Sequence, residues 1–252
     1  MSPVAIILGV VIIILIYVLY RYFTSTATTL QSSLTNLTTQ IPVITKLGSP
    51  TNTQYAYGVW VYVNNWDQGT PKVFMSQTGV LNVYLLPNQP SLCVDVAMSD
   101  TSTISTIITQ NFPLQKWVYI IVSLDNQFLD VYLDGKLVKS VRLSDATGSI
   151  FPAVPGNTPQ VWLGNSNTTN NLFNGVSGKT ISSTGTSISS FNPFNAYATY
   201  FYRWTVPMDP GTAWRYYMKG NGQNSLMNNL SGYGVNMQIL QNNVVASSYA
   251  LL

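Results

Sequence analysis

FPLQKWVYIIVSLDNQFLDVYLDGKLVKSV, residues Phe112 to Val141, is the stretch that decides the fold. Lys116–Asp125 (KWVYIIVSLD) reads as one strand and Phe128–Asp134 (FLDVYLD) as a second. Asp134-Gly135 marks a tight hairpin turn, because both residue types accept the positive φ that two-residue loops demand. Lys136–Leu143 (KLVKSVRL) then returns as a third strand. Toward the N-terminus, Tyr55, Tyr57, Val59, Val61 and Val63 alternate with Trp60 and Tyr62, the period-two pattern of a strand with two different faces. Shorter strands are expected at Lys72–Ser76, Val80–Leu86, Ser91–Met98 and Ile104–Thr109, with Gly, Pro and Asn between them. Toward the C-terminus, Val161–Gly164 and Tyr197–Thr205 read as strands, and Val235, Met237 and Ile239 predict a closing one. One helix interrupts them: Asp209 caps it, Pro210 fits its first position, and Gly220 sits just past TAWRYYMK. Regular short strands with turn signals predict an all-β sandwich. Gly164 to Phe194, rich in Ser, Thr, Asn and Gly, is long for a loop and reads either as a functional loop or as a flat hairpin.

Ahead of the sandwich, Val4 to Tyr20 (VAIILGVVIIILIYVLY) is an uninterrupted apolar run. As a helix it spans roughly 25 Å, and Tyr22 and Phe23 extend it across a hydrocarbon core of about 30 Å. Met1-Ser2-Pro3 lacks the basic n-region of a secretory signal, although Ser25 and Ala27 form a small-x-small site. Ser2-Pro3 suits a helix start, and Tyr17, Tyr20, Arg21 and Tyr22 form a collar suited to headgroups. The expected organisation is a transmembrane anchor over 1–23, a Thr/Ser-rich stalk over 24–50 and the β-domain over 51–252. Arg21 and Lys46 follow the run and no basic residue precedes it, which tilts the domain toward the cytosol. In the stalk, Leu30, Leu34, Leu37, Ile41 and Ile44 recur at heptad spacing, while Pro42 and the Thr content oppose a long helix. A short amphipathic turn and an irregular tether of up to about 90 Å are the two readings.

Composition removes whole classes of chemistry. The chain contains no His, and its eight acidic residues are all Asp. Without imidazole there is no Ser-His or Cys-His nucleophile pair and no ordinary shuttle base near neutral pH. Asp125, Asp130 and Asp134 form the one acidic cluster in sequence, and their place around a hairpin suits turn and edge roles. Cys93 falls in an alternating strand pattern and reads as a small buried residue; alone, it forms no internal disulfide. No enzyme activity, metal or cofactor is expected. Charged residues make up 8% of the chain against a typical ~25%, so the surface must be amide- and hydroxyl-rich and poorly protected against association. A compositional bias of the source genome explains the same figure. The formal charge of +3 is scattered and offers no basic stripe for nucleic acid.

The hairpin block Phe112–Val141, the opening YAYGVWVYVNNW (Tyr55–Trp66) and the late block Tyr197–Gly220 together resemble concanavalin A-like, laminin-G-type jelly-roll domains. The resemblance covers about residues 50–222. It implies a jelly-roll sandwich of two antiparallel sheets packed face to face, with Trp60, Trp117 and Trp204 contributing to the core. Glucanases of this family use paired glutamates on one strand, which this chain lacks, and the acidic clusters of calcium-binding members have no match here. For sugar binding, Trp66 with Asn64, Asn65 and Asp67 is the best local candidate, against the plainer reading of a polar loop after a strand. Anchor, stalk and charge-poor domain together are also similar to minor capsid proteins standing on the inner membrane of large icosahedral DNA viruses.

Two functions follow as expectations. The first is a membrane-anchored structural protein that links an inner viral membrane to the capsid shell by protein–protein packing, with the bilayer, shell proteins and itself as partners. The alternative is a membrane-anchored lectin or adhesin whose sandwich rim binds glycan.

Overall fold

The parity of Gln54–Val63 divides the molecule into an inside and an outside. In a computed structural model, Tyr55, Tyr57, Val59, Val61 and Val63 enter the main core, while Ala56 and Trp60 face the other way into a second apolar cluster. The structure describes residues 9–17, 19, 27–67, 69, 71–144, 150–164 and 194–222, and the backbone of 236–241 and 244–250.

Residues 9–17 are helical (α1). The strands that follow are β1 (Ala27–Gln31), β2 (Thr35–Asn36), β3 (Gln54–Val63), β4 (Lys72–Gln77), β5 (Leu81–Leu85), β6 (Leu92–Ala97) and β7 (Thr103–Thr109). After them come β8 (Trp117–Asp125), β9 (Phe128–Leu133), β10 (Lys136–Arg142), β11 (Val161–Leu163), β12 (Ala196–Trp204), α2 (Pro210–Met218), β13 (Asn236–Gln241) and β14 (Val244–Ala250). A seven-stranded sheet runs β1-β12-β3-β8-β9-β10 with β2 also on β12, and a five-stranded sheet runs β11-β4-β5-β6-β7. The pairs are antiparallel throughout. β13 and β14 pair with each other, so the expected closing strand is one half of a hairpin.

The β9–β10 turn forms as its sequence predicts. Asp134 and Gly135 take φ of 48° and 76°. Asp134 Oδ1 also accepts the Tyr119 N–H at 2.9 Å, tying the turn to β8. Gly135 has a packing role too, because a Cβ there would lie 3.0 Å from Trp214 and Tyr217 of α2. Asp209 caps α2 by accepting the Thr212 N–H at 2.9 Å.

Several expectations change. Residues 27–31 and 35–36, read as stalk, are strands: Ala27 pairs with Trp204 and Asn36 with Tyr197. The heptad-like spacing there is not helical. Leu37 is buried in the main core, Leu30, Ile41 and Ile44 pack against it, and Ile44 bridges Val161. Arg203 donates to the carbonyls of Gly48 and Ser49 and so pins the segment that leads into β3. Trp60 and Trp204 do not fill the space between the sheets. They lie on the outer face of the seven-stranded sheet under α2, with Trp117 packed against the same cluster. Residues 165–193, most of the long polar segment, lie outside the described residues. So does much of the expected anchor (1–8, 18 and 20–23). Among the described residues no helix is long and apolar enough to cross a membrane.

Candidate binding surface

The outer face of the seven-stranded sheet carries aromatic rows that register alone assembles. Thr199, Trp60 and Tyr119 are cross-strand neighbours on β12, β3 and β8, and one row further along lie Tyr197, Tyr62 and Trp117. Trp60 stacks on Tyr119 at 5.0 Å and on Tyr217 of α2 at 5.5 Å, so the first row is sealed. The second row is half-buried, with the Tyr62 and Trp117 rings 5.5 Å apart and tilted by 51°. Amides border this ledge. Asn64 donates to Asn195 Oδ1 at 3.4 Å and accepts, through its carbonyl, from Gln115 Nε2 at 3.4 Å. Beside them the exposed Lys116 ammonium sits 3.5 Å from Asp134. Flat apolar rings flanked by amide donors and acceptors can stack a pyranose face and bond its hydroxyls.

The four sequence candidates adjoin this ledge and divide in two. Asn64 and Asn65 are exposed, and both of their N–H groups bond the Asn195 carbonyl, at 3.0 and 3.4 Å. Trp66 turns inward against the main core, and Asp67 pairs with Lys72 at 2.9 Å. The Lys72 side chain is wholly buried and its ammonium lies 5.0 Å from the Trp66 ring centre, so these two residues house a cation.

The opposite end of the same sheet holds a cavity of about 280 Å³ lined by Asp125, Asn126, Gln127, Phe128 and Arg142. Phe128 pairs with Asp125 on β8 and with Arg142 on β10, so an acid and a base flank an aromatic ring. Phe128 is 50% exposed. Asp125 Oδ1 accepts from Gln54 Nε2 at 2.7 Å and from Asn126 Nδ2 at 3.2 Å. Arg142 donates through Nε and Nη2 to Gln127 Oε1 at 3.1 and 3.0 Å and forms no ion pair among the described residues. The Asp cluster is thus dispersed: Asp125 and Asp134 lie at opposite ends of β9, and Asp130 Oδ1 is buried without a hydrogen-bond partner among the described residues.

A third array is closed. Trp162, Ser76, Asn82, Asp95 and Ser105 form one row across all five strands of the second sheet, and each is buried. Burial pushes the Asp95 carboxyl up to about 7, against the pull of hydrogen bonds from Ser105 and Tyr84. Burial likewise pushes the neighbouring Cys93 thiol up to about 12, the behaviour of a packed rather than reactive sulfur. Among the described residues no group of three or more acidic or sulfur side chains converges as metal ligands would.

Residues 36–178 match the family described as the concanavalin A-like lectin/glucanases superfamily. No curated protein matches the chain. Among solved structures it is similar to the binding domain of Paraclostridial Mosquitocidal Protein 1, with 8% identity, 76% of this chain and 46% of that one covered, and a TM-score of 0.48. It is also similar to the binding domain of botulinum neurotoxin serotype D/C VPI 5993, with 12% identity, 67% and 37% coverage and a TM-score of 0.45. The binding domain of botulinum neurotoxin DC in complex with SialylT gives 10% identity, 77% and 46% coverage and a TM-score of 0.48. The chain therefore spans less than half the length of these structures, and likenesses at this level bear on neither ligand nor partner.

Proposed function

Because the chain belongs to the concanavalin A-like lectin/glucanases superfamily, we propose that it is a non-catalytic recognition module, held on a membrane, that binds a glycan on its Tyr62–Trp117–Tyr197 ledge. The half-buried aromatic row with its amide border carries this reading. The absence of His and Glu from the sequence supports a binding role over hydrolysis. Support for the anchor is the apolar run Val4–Tyr20. In α1 the side chains of Val10 through Tyr17 are 49–68% exposed, an apolar surface that needs lipid or another apolar partner to cover it. Arg21 on the domain side of the run favours a cytosol-facing sandwich.

A second reading, a structural virion protein between inner membrane and capsid, is favoured by the low charge and by exposed Val154, Phe151, Val206 and Trp214 on the domain. The test is a glycan array probed with the full chain in maltoside micelles. Saturable binding that W117A and Y62A each abolish, with Tm retained, supports the ledge. Binding that survives both substitutions, or no binding to any glycan, overturns it. Self-assembly of the chain into ordered layers on liposomes would instead support the virion reading.

A further inference from the structure

We infer that the cleft formed by Asp125, Phe128 and Arg142 takes the zwitterionic headgroup of a phospholipid in the bilayer that holds the N-terminal run. This rests on the anchor reading above. Chain reach sets the geometry. Three residues separate Phe23 from Ala27, the first residue of β1, and the four steps between them span at most about 14 Å. Ala27 pairs with Trp204, Trp204 with Ala56, and Ala56 with Ser123, so the chain enters the sheet at the end where β8 finishes. Asp125 lies two residues beyond Ser123, roughly 7 Å further toward that end. The sheet therefore stands with its Asp125 end toward the bilayer, and the ledge at the Trp117 end points away.

The cleft's chemistry fits a surface that carries both charges. Arg142 presents a guanidinium with donors beyond the two held by Gln127, and such a group pairs with phosphate oxygens. Asp125 supplies the counter-charge for an ammonium, about 10 Å away across two strand spacings. Phe128, half-exposed between them, gives the ammonium an aromatic face and the acyl boundary an apolar contact. A free inorganic phosphate would use Arg142 alone and meet the Asp125 carboxylate with like charge.

The test uses the full chain, purified in maltoside and loaded with dioleoylphosphatidylcholine, with retained lipid counted by native mass spectrometry. Sucrose-gradient flotation of the same proteins on phosphatidylcholine liposomes reads the anchor separately. The expected result is a lipid retained by the wild type whose occupancy falls about tenfold in R142A, falls in D125N and is largely kept in R142K, with flotation and Tm unchanged. Equal retention in wild type and R142A, or displacement of the lipid by millimolar inorganic phosphate, overturns the headgroup site while flotation keeps the anchor. Failure of the wild type to float overturns the anchor and this inference with it.

Discussion

Lys72 and Asp67 form an ion pair of 2.9 Å in which the lysine side chain is wholly buried and the aspartate is 68% exposed. Such a pair is asymmetric in its energetics, because the cost of desolvation falls on one partner. D67N should therefore destabilise the domain by about 1–2 kcal/mol, a figure reduced from fully buried pairs because the carboxylate is solvated. K72M, which removes the buried charge itself, should cost less than D67N. Urea denaturation of both variants checks the order, and a larger loss in K72M would contradict it.

Gly58 sits where β3 passes beneath Trp204. A Cβ at that position would lie 2.8 Å from Trp204 Cζ3 and 2.8 Å from the Tyr119 hydroxyl, both on buried side chains. G58A should cost about 1–3 kcal/mol by overpacking, read as a lower denaturation midpoint at unchanged m.

The Asp95 carboxyl titrates near 7 in the folded chain and near 3.9 when unfolded. Between those values the folded state keeps a proton that the unfolded state has lost. Stability from this group is therefore full below about pH 4, declines by up to about 1.4 kcal/mol per pH unit, and stops changing above about pH 7. D95N should flatten the profile over that window. Thermal unfolding at half-unit pH steps distinguishes the two curves, and parallel curves would rule Asp95 out.

Cys93 should be inert to maleimide in the native protein, since its side chain is inaccessible and burial raises its thiol to about 12. Labelling is expected only as fast as the chain opens, so its rate should rise with urea in step with unfolding. Rapid labelling in buffer alone would show that the outer face of the five-stranded sheet is open.

Most of the sandwich was legible because its strands alternate cleanly and their turns carry Gly, Pro, Asn and Asp-Gly. The hairpin Phe128–Arg142 and the helix after Asp209 follow their sequence signals almost to the residue. β1 was not legible: ATTLQ has little alternation, and its one leucine, Leu30, joins a four-and-three spacing that mimics a heptad. The spacing instead marks where an irregular segment dips into the core at Leu37 and Ile44. The outward tryptophans show a different limit, because parity says that Trp60 opposes Val59 and Val61 but not which face α2 will cover. Both candidate surfaces escaped the linear reading for a shared reason. Tyr62, Trp117 and Tyr197 meet only through strand register, as do Asp125, Phe128 and Arg142. The Asn64–Asp67 loop was found because its residues are contiguous, and contiguity did not reveal that Trp66 and Asp67 serve Lys72.

The pairing of Ala27–Gln31 and Thr35–Asn36 with β12 turns residues 27–44 from a leash into part of the fabric. A soluble version trimmed at residue 50 would lose an edge strand and leave the β12 backbone unpaired, inviting aggregation. A backbone nick between Thr38 and Ile41 should be tolerated, leaving two fragments held together without a covalent link. A synthetic peptide covering 24–40 would then restore solubility to the trimmed domain, much as a missing stave closes a cask.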